Sequence, residues 1–573
     1  MFDILIQGGT VHDGSGSDAI PADVAIRADR IVAIGADLGP ARQTIDARGC
    51  LVTPGFVDVH SHLDGNVTWE HQLKPASGHG ITSVVIGNCG VGFAPCRPEH
   101  RGFVVALMEG VEDIPASVLD RGLPWDWESY PQYLEFIAGR RFDMNVASLV
   151  PHSCLRLWVM GQRAIDGEAA TASDIDRIGE LAAECLRAGA VGVGSTRLHA
   201  QKTLAGISAP TRHAQLDEYL AIGRALAACG GVLQIAPEFN RYPLAEQELD
   251  MICTVARQTG CRVTYTLKQT NEFPDAWRAM LERTAQARAE GLDIRPQVLG
   301  RPTGAILCWE TSTHPFAKCP SYLDLAPMPL DERLVELARP TVRERLVDES
   351  RQHGGRFEKL YPRMFAIRGA VRYEPEAQEA LSVQAEREGR PAADLVYDAF
   401  MADAGRGSVL MTSGNYAEFS LEPALAMMRA EGSLLGLGDA GAHSSIICDA
   451  SATTSMLTYW CRDRVRGARL ELPEAVRKLT SEPADFFGLS DRGRLAVGYH
   501  ADVNVIDHAR LALDVPRMSR DLPAGGRRLV QAAQGYVATL VNGEVVASQD
   551  AFTGALPGRL LTCLLYTSPS PRD

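Results

Sequence analysis

The sequence lacks any apolar run of the roughly 18 residues that a membrane-spanning helix needs. Its N-terminus, MFDILIQGGTVHDG, also lacks the basic flank and long apolar region of a secretory signal peptide. The composition, 46% hydrophobic and 22% charged over 573 residues, is that of a large globular protein with more than one domain. These features predict no membrane partner and a cytoplasmic location.

A regular cysteine framework is missing as well. The thirteen cysteines are odd in number and scattered, which is typical of a reducing compartment. The chain has 57 basic and 71 acidic residues, a net charge of -14, and no Lys/Arg cluster that could follow a phosphate backbone. We therefore expect no nucleic-acid partner and a small-molecule substrate; a homo-oligomer is compatible with the sequence but not determined by it.

The two ends of the chain resemble each other. Both ends contain short β-rich runs broken by Gly and Asp. They are FDILIQGGTVHDG and ADVAIRADRIVAIG near the N-terminus, and ADVNVIDHARL and GYVATLVNGEVV near the C-terminus. Asn542-Gly543 is a strong hairpin turn. These patterns predict one small β-sandwich domain formed by residues 1–54 and 485–561.

Residues 55–484 have a different pattern, in which apolar strands alternate with amphipathic helices. The strand GITSVVIGNCG, the helix DIDRIGELAAECLRAGA and the strand VGVGST illustrate the alternation, which calls for a parallel sheet. The α/β fold is either a closed (β/α)8 TIM-like barrel with insertions or an open doubly wound sheet. Because no G-x-G-x-x-G turn follows the first strand, we favour the barrel.

The last residues, 562–573, do not resemble the rest. CLLYTSPSPRD follows a natural-looking finish at TGALPGRLL and looks like a translated cloning adapter. We expect this tail to be non-native and disordered.

The stretch LVTPGFVDVHSHLDG places His60 and His62 two residues apart at the end of a predicted strand. Side chains two apart on a strand project to the same side, and barrel active sites lie at the carboxyl ends of the strands. Two adjacent imidazoles could share a metal ion. The alternative is that one histidine caps a loop and the other packs in the core.

This stretch resembles the first strand of the metal-dependent amidohydrolase superfamily. Five further motifs narrow the resemblance to the N-acyl-D-amino-acid deacylase branch of that superfamily, over about residues 2 to 561. They are GNCGVGFAP, MEGVEDIP, LGLGDAGAHSSIICDAS, LTSEPADFFGLSDRGRLAVGYHADVNVID and TGALPGRLL. The resemblance implies hydrolysis of the amide bond of N-acyl amino acids, and of N-acyl-D-amino acids in particular. It implies attack by a metal-activated water.

The resemblance also implies roles for individual residues. It makes His60, His62, Cys89 and Asp439 the metal ligands, and it makes Asp439 the proton shuttle as well. Zinc accepts nitrogen, sulfur and carboxylate oxygen, and a carboxylate beside it can move a proton to the leaving amine. Without the resemblance, Cys89 could be a small buried residue and Asp439 a turn residue.

Five further residues are candidates for binding the substrate. A cation at the mouth of the barrel could hold the substrate carboxylate, and the candidates are Lys268, Arg295 and Arg301. Lys268 could instead be a surface residue with an apolar stem. We expect His152 and His443 to line the pocket rather than to bind metal.

The chain departs from the family pattern at two strands. The deacylases usually carry one more metal-binding His at the end of strand 5 and another at the end of strand 6, but GVLQIAPEFN and RVTYTLKQTN contain none. The polar residues that could fill the space are Gln234, Glu238, Tyr265, Lys268 and Gln269. Among these only Glu238 is a good oxygen ligand, so we expect one divalent metal ion, zinc.

Two other functions remain open from the sequence. A cyclic-amide hydrolase of the hydantoinase or dihydropyrimidinase type would use the same barrel, but those enzymes bridge two metals with a carboxylated Lys on strand 4, and AVGVGSTRLH has no Lys. A barrel that has lost catalysis could serve as a binding scaffold. The retention of four costly polar groups in one predicted pocket argues against that alternative.

Overall fold

The computed structural model describes residues 1–241 and 244–562. The predicted disorder of the C-terminal tail falls on residues outside this part of the chain, apart from Thr562, and stays a prediction. Among the described residues, no helix combines the length and the apolar character needed to cross a membrane.

The centre of the molecule is a parallel sheet of eight strands rolled into a nearly closed ring. Neighbours pair in chain order, and we number them barrel strands 1 to 8. Their bounds are Phe56–Asp58, Ile81–Ile86, Asn145–Pro151, Gly192–Thr196, Val232–Ala236, Arg262–Thr266, Ile294–Val298 and Leu434–Leu435. With helices between the strands, this is a TIM-like barrel, and the predicted fold class is confirmed.

Helices connect the strands and cover the outside of the ring. The longer ones are Arg101–Glu112, Tyr130–Ala138, His152–Met160, Ala172–Arg187, Leu216–Cys229, Leu244–Thr259, Ala276–Ala289, Glu422–Arg429, Leu472–Leu479 and Ser481–Phe487. Ala172–Arg187 shows why such segments are helical. Thr171 caps its N-terminus through a capping box with Asp174, and Ile178, Leu181 and Leu186 are buried on one face.

The interior of the barrel below the strand ends is filled by apolar side chains. Val85, Leu149 and Val232 from three strands belong to one buried cluster with Phe486 and Phe487 of the helix Ser481–Phe487. Since these side chains pack the amino-terminal end of the barrel, the carboxyl end is left for a functional site.

One large insertion follows barrel strand 7. Its antiparallel sheet consists of Thr303–Leu307, Ser408–Gly414 and Met364–Ile367. Its helices are Pro320–Leu325, Leu330–Leu337, Pro340–His353, Leu381–Glu388 and Ala392–Gly405. A separate core around Trp309 holds this lobe together, and Arg356 and Ser413 of the lobe reach the cavity at the mouth of the barrel.

Both ends of the chain build a second sheet, as predicted. Its nine strands are Phe2–Val11, Ile20–Arg27, Arg30–Gly35, Ala41–Asp46, Leu51–Pro54, Val503–Ile506, Tyr536–Val541, Glu544–Ser548 and Ala551–Phe552. Leu51–Pro54 pairs antiparallel with Val503–Ile506, which joins the two ends. At the predicted hairpin, Asn542 and Gly543 have φ of 48° and 79°. Leu560–Leu561 pairs instead with barrel strand 3.

Candidate active site

The structure brings the four predicted metal ligands together at the carboxyl end of the barrel. The donor atoms of His60, His62 and Cys89 lie within 4.8 Å of one another. Asp439 Oδ1 lies 3.4 Å from His60 Nε2 and 3.9 Å from His62 Nε2. Cys89 Sγ lies 3.3 Å from His60 Nε2. Nitrogen, sulfur and oxygen donors therefore face one small volume.

Tight backbone turns present two of these side chains. Cys89 follows barrel strand 2 in a short turn with φ 53° and ψ 16°, a left-handed conformation that is rare outside glycine. Its backbone N–H donates to the Gln234 side chain at 2.8 Å. Gly90 fits against barrel strand 4, since a Cβ there would lie 2.8 Å from the Cα of Ser195. Asp439, with φ 45°, follows barrel strand 8 in the same way.

A buried oxygen atom lies beside Nδ1 of each histidine. The Gln297 amide oxygen lies 2.6 Å from His60 Nδ1, and Glu112 Oε1 lies 3.3 Å from His62 Nδ1. Neither Gln297 nor Glu112 is among the site residues predicted from the sequence. Glu112 lies in the family motif MEGVEDIP, which was a usable signal. Gln297 gave none, because nothing in the local sequence shows that it faces His60.

The electrostatics of the cluster follow from burial. Burial raises the pKa of Asp439 to about 7, with Asp449 adding to the effect and His443 and Lys268 opposing it. Burial and the Asp439 charge also raise the pKa of Cys89 well above its ordinary value. Burial lowers the pKa of His60 to about 4. The imidazole is therefore a neutral donor, and burial of Asp439 outweighs the favourable charge of Lys268.

These residues fit a metal ion. The Asp439 Oδ1 atom is buried and has no hydrogen-bond partner. A bound divalent cation would supply the charge that ionised Asp439 and Cys89 require. A mixed set of imidazole, thiolate and carboxylate suits zinc.

The cluster opens into a cavity of about 830 Å³. Lys268, His443 and Arg356 contribute the basic side chains of its lining, and Leu198, Leu204 and Phe239 belong to its apolar part. Burial lowers the pKa of Lys268, while Asp439 and Glu238 oppose the shift. The cavity thus combines a metal-binding corner, a cation and an apolar surface, as a site for a small amphiphilic substrate would.

Comparison with known proteins identifies the family. The profile described as the amidohydrolase family matches residues 43–547. The chain belongs to the amidohydrolase family. It is 30% identical to the N-acyl-D-glutamate deacylase of Alcaligenes xylosoxydans xylosoxydans, over 98% of this chain and 96% of that protein. The D-aminoacylase of the same organism is 27% identical, over 98% and 97%.

A solved structure shows the same fold as this amidohydrolase. The N-acyl-D-glutamate deacylase from Bordetella bronchiseptica, in complex with zinc and a phosphonate mimic of the tetrahedral intermediate, has a TM-score of 0.66 and 24% identity, covering 98% of this chain and 99% of that one. Together with the sequence relatives, it confirms the resemblance to the N-acyl-D-amino-acid deacylase branch.

Small residues end the two barrel strands on which this amidohydrolase lacks the family's further metal-binding histidines. Barrel strands 5 and 6 end at Ala236 and Thr266, and both line the cavity. The Glu238 carboxylate is turned to His199, accepting its backbone N–H at 2.7 Å and lying 2.8 Å from Nδ1. Within residues 1–241 and 244–562, the one cluster of three or more His, Cys, Asp or Glu donors is His60, His62 and Cys89.

The other polar residues named for that space have partners elsewhere. The Tyr265 hydroxyl lies 2.6 Å from Thr284 Oγ1, and the Gln269 amide donates to Glu418 at 2.7 Å. Gln234 supports Cys89 through its side-chain oxygen. Of the five residues, Lys268 is the one that lines the cavity in the part of the chain described.

The two predicted arginines do not reach the cavity. Arg295 Nε donates to Asp293 at 2.8 Å, and its guanidinium lies 4.9 Å from the ring centre of Phe486 at the opposite end of the barrel. Arg301 is buried, lies over Tyr373 and is paired with Asp449, so its charge is already balanced. The structure therefore corrects the expectation that these residues lie at the mouth.

His152 is also displaced from the cavity. It is the first residue of the helix His152–Met160, and it is fully buried between Ser195 Oγ at 2.9 Å and Glu218 Oε1 at 2.6 Å. Because the helix starts directly after barrel strand 3, the ring turns toward the helix Leu216–Cys229 rather than the barrel mouth. His443 does line the cavity, as expected.

Proposed function

We propose that this amidohydrolase cleaves the amide bond of N-acyl amino acids, with N-acyl-D-amino acids as the preferred class. The observation that carries the proposal is the convergence of His60, His62, Cys89 and Asp439 in one cavity with Lys268. The resemblance of the whole chain to deacylases named for these substrates supports it.

We propose that His60, His62, Cys89 and Asp439 hold one divalent ion of the zinc type. When bound, such an ion would polarise the acyl carbonyl and make water more acidic. The single donor cluster in the described residues and the engagement of Glu238 by His199 support one ion rather than two.

Asp439 would move the proton. Its Oδ1 faces the donor cluster, and about a quarter of its side chain is accessible from the cavity. The carboxylate would accept a proton from the attacking water and then deliver it to the departing nitrogen, which cannot leave as an amide anion at neutral pH. Asp439 N–H, bound to the His60 carbonyl, fixes the orientation of the residue.

Lys268 would hold the free carboxylate of the amino acid. It lines the cavity and lies close enough to Asp439 for their charges to interact. A substrate carboxylate would compensate the ammonium group, as charge-assisted hydrogen bonds do in other carboxylate sites. The bound orientation would then point the acyl carbonyl toward the donor cluster.

A cyclic-amide substrate is less compatible with the structure. Barrel strand 4, Gly192–Thr196, carries no Lys that could be carboxylated to bridge two metals. A reducing, cytoplasmic compartment is supported by buried free thiols such as those of Cys89, Cys154 and Cys185.

A substrate screen tests the proposal. N-acetyl derivatives of D- and L-amino acids and a set of cyclic imides are offered to zinc-loaded wild-type protein and to the Asp439→Asn variant. We expect hydrolysis of N-acyl amino acids by the wild type, with the D-series favoured, and a strong loss in the variant. Hydrolysis of the cyclic compounds alone, or equal rates for both proteins, would refute the assignment.

A further inference from the structure

We propose that Gln297 and Glu112 are positioning residues that keep the ring proton of each histidine ligand on Nδ1, so that both Nε2 atoms are free to bind the metal. This inference rests on the metal site of the proposed function, and it assigns roles to two residues that lie outside the donor set. A neutral imidazole carries one N–H, and the group that accepts this N–H decides which nitrogen is left as a donor to metal.

The contacts around His60 indicate which ring nitrogen carries the proton. Gln297 Oε1, an atom that can only accept, lies 2.6 Å from Nδ1. The other ring nitrogen, Nε2, faces Cys89 Sγ at 3.3 Å and Asp439 Oδ1 at 3.4 Å. Placing the proton on Nε2 would leave Gln297 Oε1 and Nδ1 as two acceptors in contact. The amide oxygen therefore favours the tautomer that coordinates.

The surroundings of His62 are similar but looser. Glu112 Oε1 lies 3.3 Å from Nδ1, at ion-pair distance but without hydrogen-bond geometry, and Nε2 faces Asp439 Oδ1 at 3.9 Å. Both rings thus have a buried oxygen beside Nδ1 and the same carboxylate oxygen nearest to Nε2. The Glu112 carboxylate therefore favours the same tautomer through its charge, and the Gln297 hydrogen bond is the stronger of the two contacts.

The supporting elements hold both acceptors rigidly. Gln297 lies on barrel strand 7 and is fully buried. Glu112 is the last residue of the helix Arg101–Glu112 and is 2% exposed. Its backbone carbonyl accepts the Ser444 N–H at 3.2 Å, which ties the helix end to the loop after barrel strand 8. Gly110 lets the helix Arg101–Glu112 pack closely against the chain at Lys202, since a Cβ on Gly110 would lie 2.2 Å from the Lys202 carbonyl oxygen.

The test measures zinc affinity rather than turnover. Metal-free protein is titrated with zinc in competition with a chromophoric chelator. Gln297→Met and Glu112→Met keep side-chain length but remove the oxygen acceptor, whereas Gln297→Glu and Glu112→Gln keep it. Loss of such supporting partners costs roughly 10- to 100-fold in metal affinity. We expect that loss in both Met variants and near wild-type affinity in the two conservative variants.

A matched control separates positioning from general loosening. Gln269 is also 1% exposed, and its amide donates to Glu418 at 2.7 Å, but its side chain contacts no proposed ligand. Gln269→Met should leave zinc affinity unchanged. The visible spectrum of the cobalt(II) form gives a second readout, and we expect it to change in Gln297→Met and not in Gln269→Met.

The outcomes distinguish the two proposals. A wild-type protein that binds no zinc refutes the metal site itself. Tight binding by the wild type with equal affinity in both Met variants refutes the positioning role alone. An equal loss in Gln269→Met, or no rescue by Gln297→Glu and Glu112→Gln, also overturns it. If Gln297→Met does not fold, the Glu112 pair decides the same claim.

Discussion

The backbone N–H of Asp439 donates to the carbonyl oxygen of His60 at 3.0 Å. The N–H of His62 donates in turn to the Ala440 carbonyl at 2.8 Å. Barrel strands 8 and 1 do not form a ladder in the sheet, so these two bonds join the segments that directly follow the first and last strands. The proposed metal ligands therefore lie on both sides of the line along which the barrel closes.

Metal removal should destabilise the protein, because one ion would bridge the two strands. At a free ion concentration a hundred times the Kd, binding stabilises the folded state by about 2.7 kcal/mol. We expect chelation to lower Tm and one equivalent of zinc to restore it, with elemental analysis giving close to one ion per chain. Two tight equivalents would contradict the single site.

The double variant His60→Ala, His62→Ala should lose the metal and keep the fold. The two imidazoles lie outside the apolar cluster that fills the barrel interior, so circular dichroism should match that of the metal-free wild type. Its Tm should no longer respond to chelator. Unchanged metal content would show that the ion binds elsewhere.

Asp439→Asn should lower kcat far more than it lowers metal content. Asn keeps the size of the side chain and an oxygen, but it cannot carry a proton. Loss of general acid/base catalysis typically costs 10² to 10⁴ in rate, or about 3 to 5 kcal/mol. Steady-state kinetics with zinc analysis of the same samples checks this, and a parallel fall in both quantities would argue for a purely structural role.

Lys268→Met should raise KM for N-acyl amino acids with a smaller effect on kcat. The variant removes the cation that would hold the substrate carboxylate, so the corresponding N-acyl amino amides should be affected much less. Arg295→Met is a matched control, because that cation lies at the other end of the barrel beside Phe486. Equal effects on acids and amides would exclude carboxylate binding by Lys268.

Glu218→Gln should destabilise the protein in a pH-dependent way. Burial alone would raise the pKa of Glu218, but the hydrogen bonds and charges of His152 and Arg156 outweigh it, so the pKa lies below its ordinary value of 4.5. A lowered pKa means that the ionised group stabilises the fold above pH 4.5 and that this contribution is lost as pH falls further.

At pH 7 we expect Glu218→Gln to lower the free energy of unfolding by roughly 1.5 to 3 kcal/mol, the range for hydrogen bonds to charged groups. The difference from wild type should shrink below pH 4.5. Urea unfolding at several pH values measures it. Glu180→Gln, at an exposed position beside Arg177, should show little change at any of them.

The fold was predictable because its signals are local. Alternating strands and amphipathic helices such as Ala172–Arg187 are visible in short windows of sequence, and so is the Asn542-Gly543 turn. The pair His60 and His62 was also visible, because their two-residue spacing at a strand end is itself the geometric signal.

The rest of the site depends on contacts between distant segments. The sequence does not show that Asp449 pairs with Arg301, nor that Gln297 lies beside His60. Arg295 shows a different limit. It lies on barrel strand 7, but the sequence does not tell how deep in the barrel each position of a strand lies.

The pairing of Leu51–Pro54 with Val503–Ile506 has a consequence for synthesis on the ribosome. The first of these strands emerges early, while its partner follows only after almost the whole barrel has been translated. At roughly 5 to 20 residues per second, translating the roughly 450 residues between them takes about 20 to 90 seconds. Throughout that time the nascent chain carries an apolar strand with one open edge, and such an edge can pair with a strand of another chain.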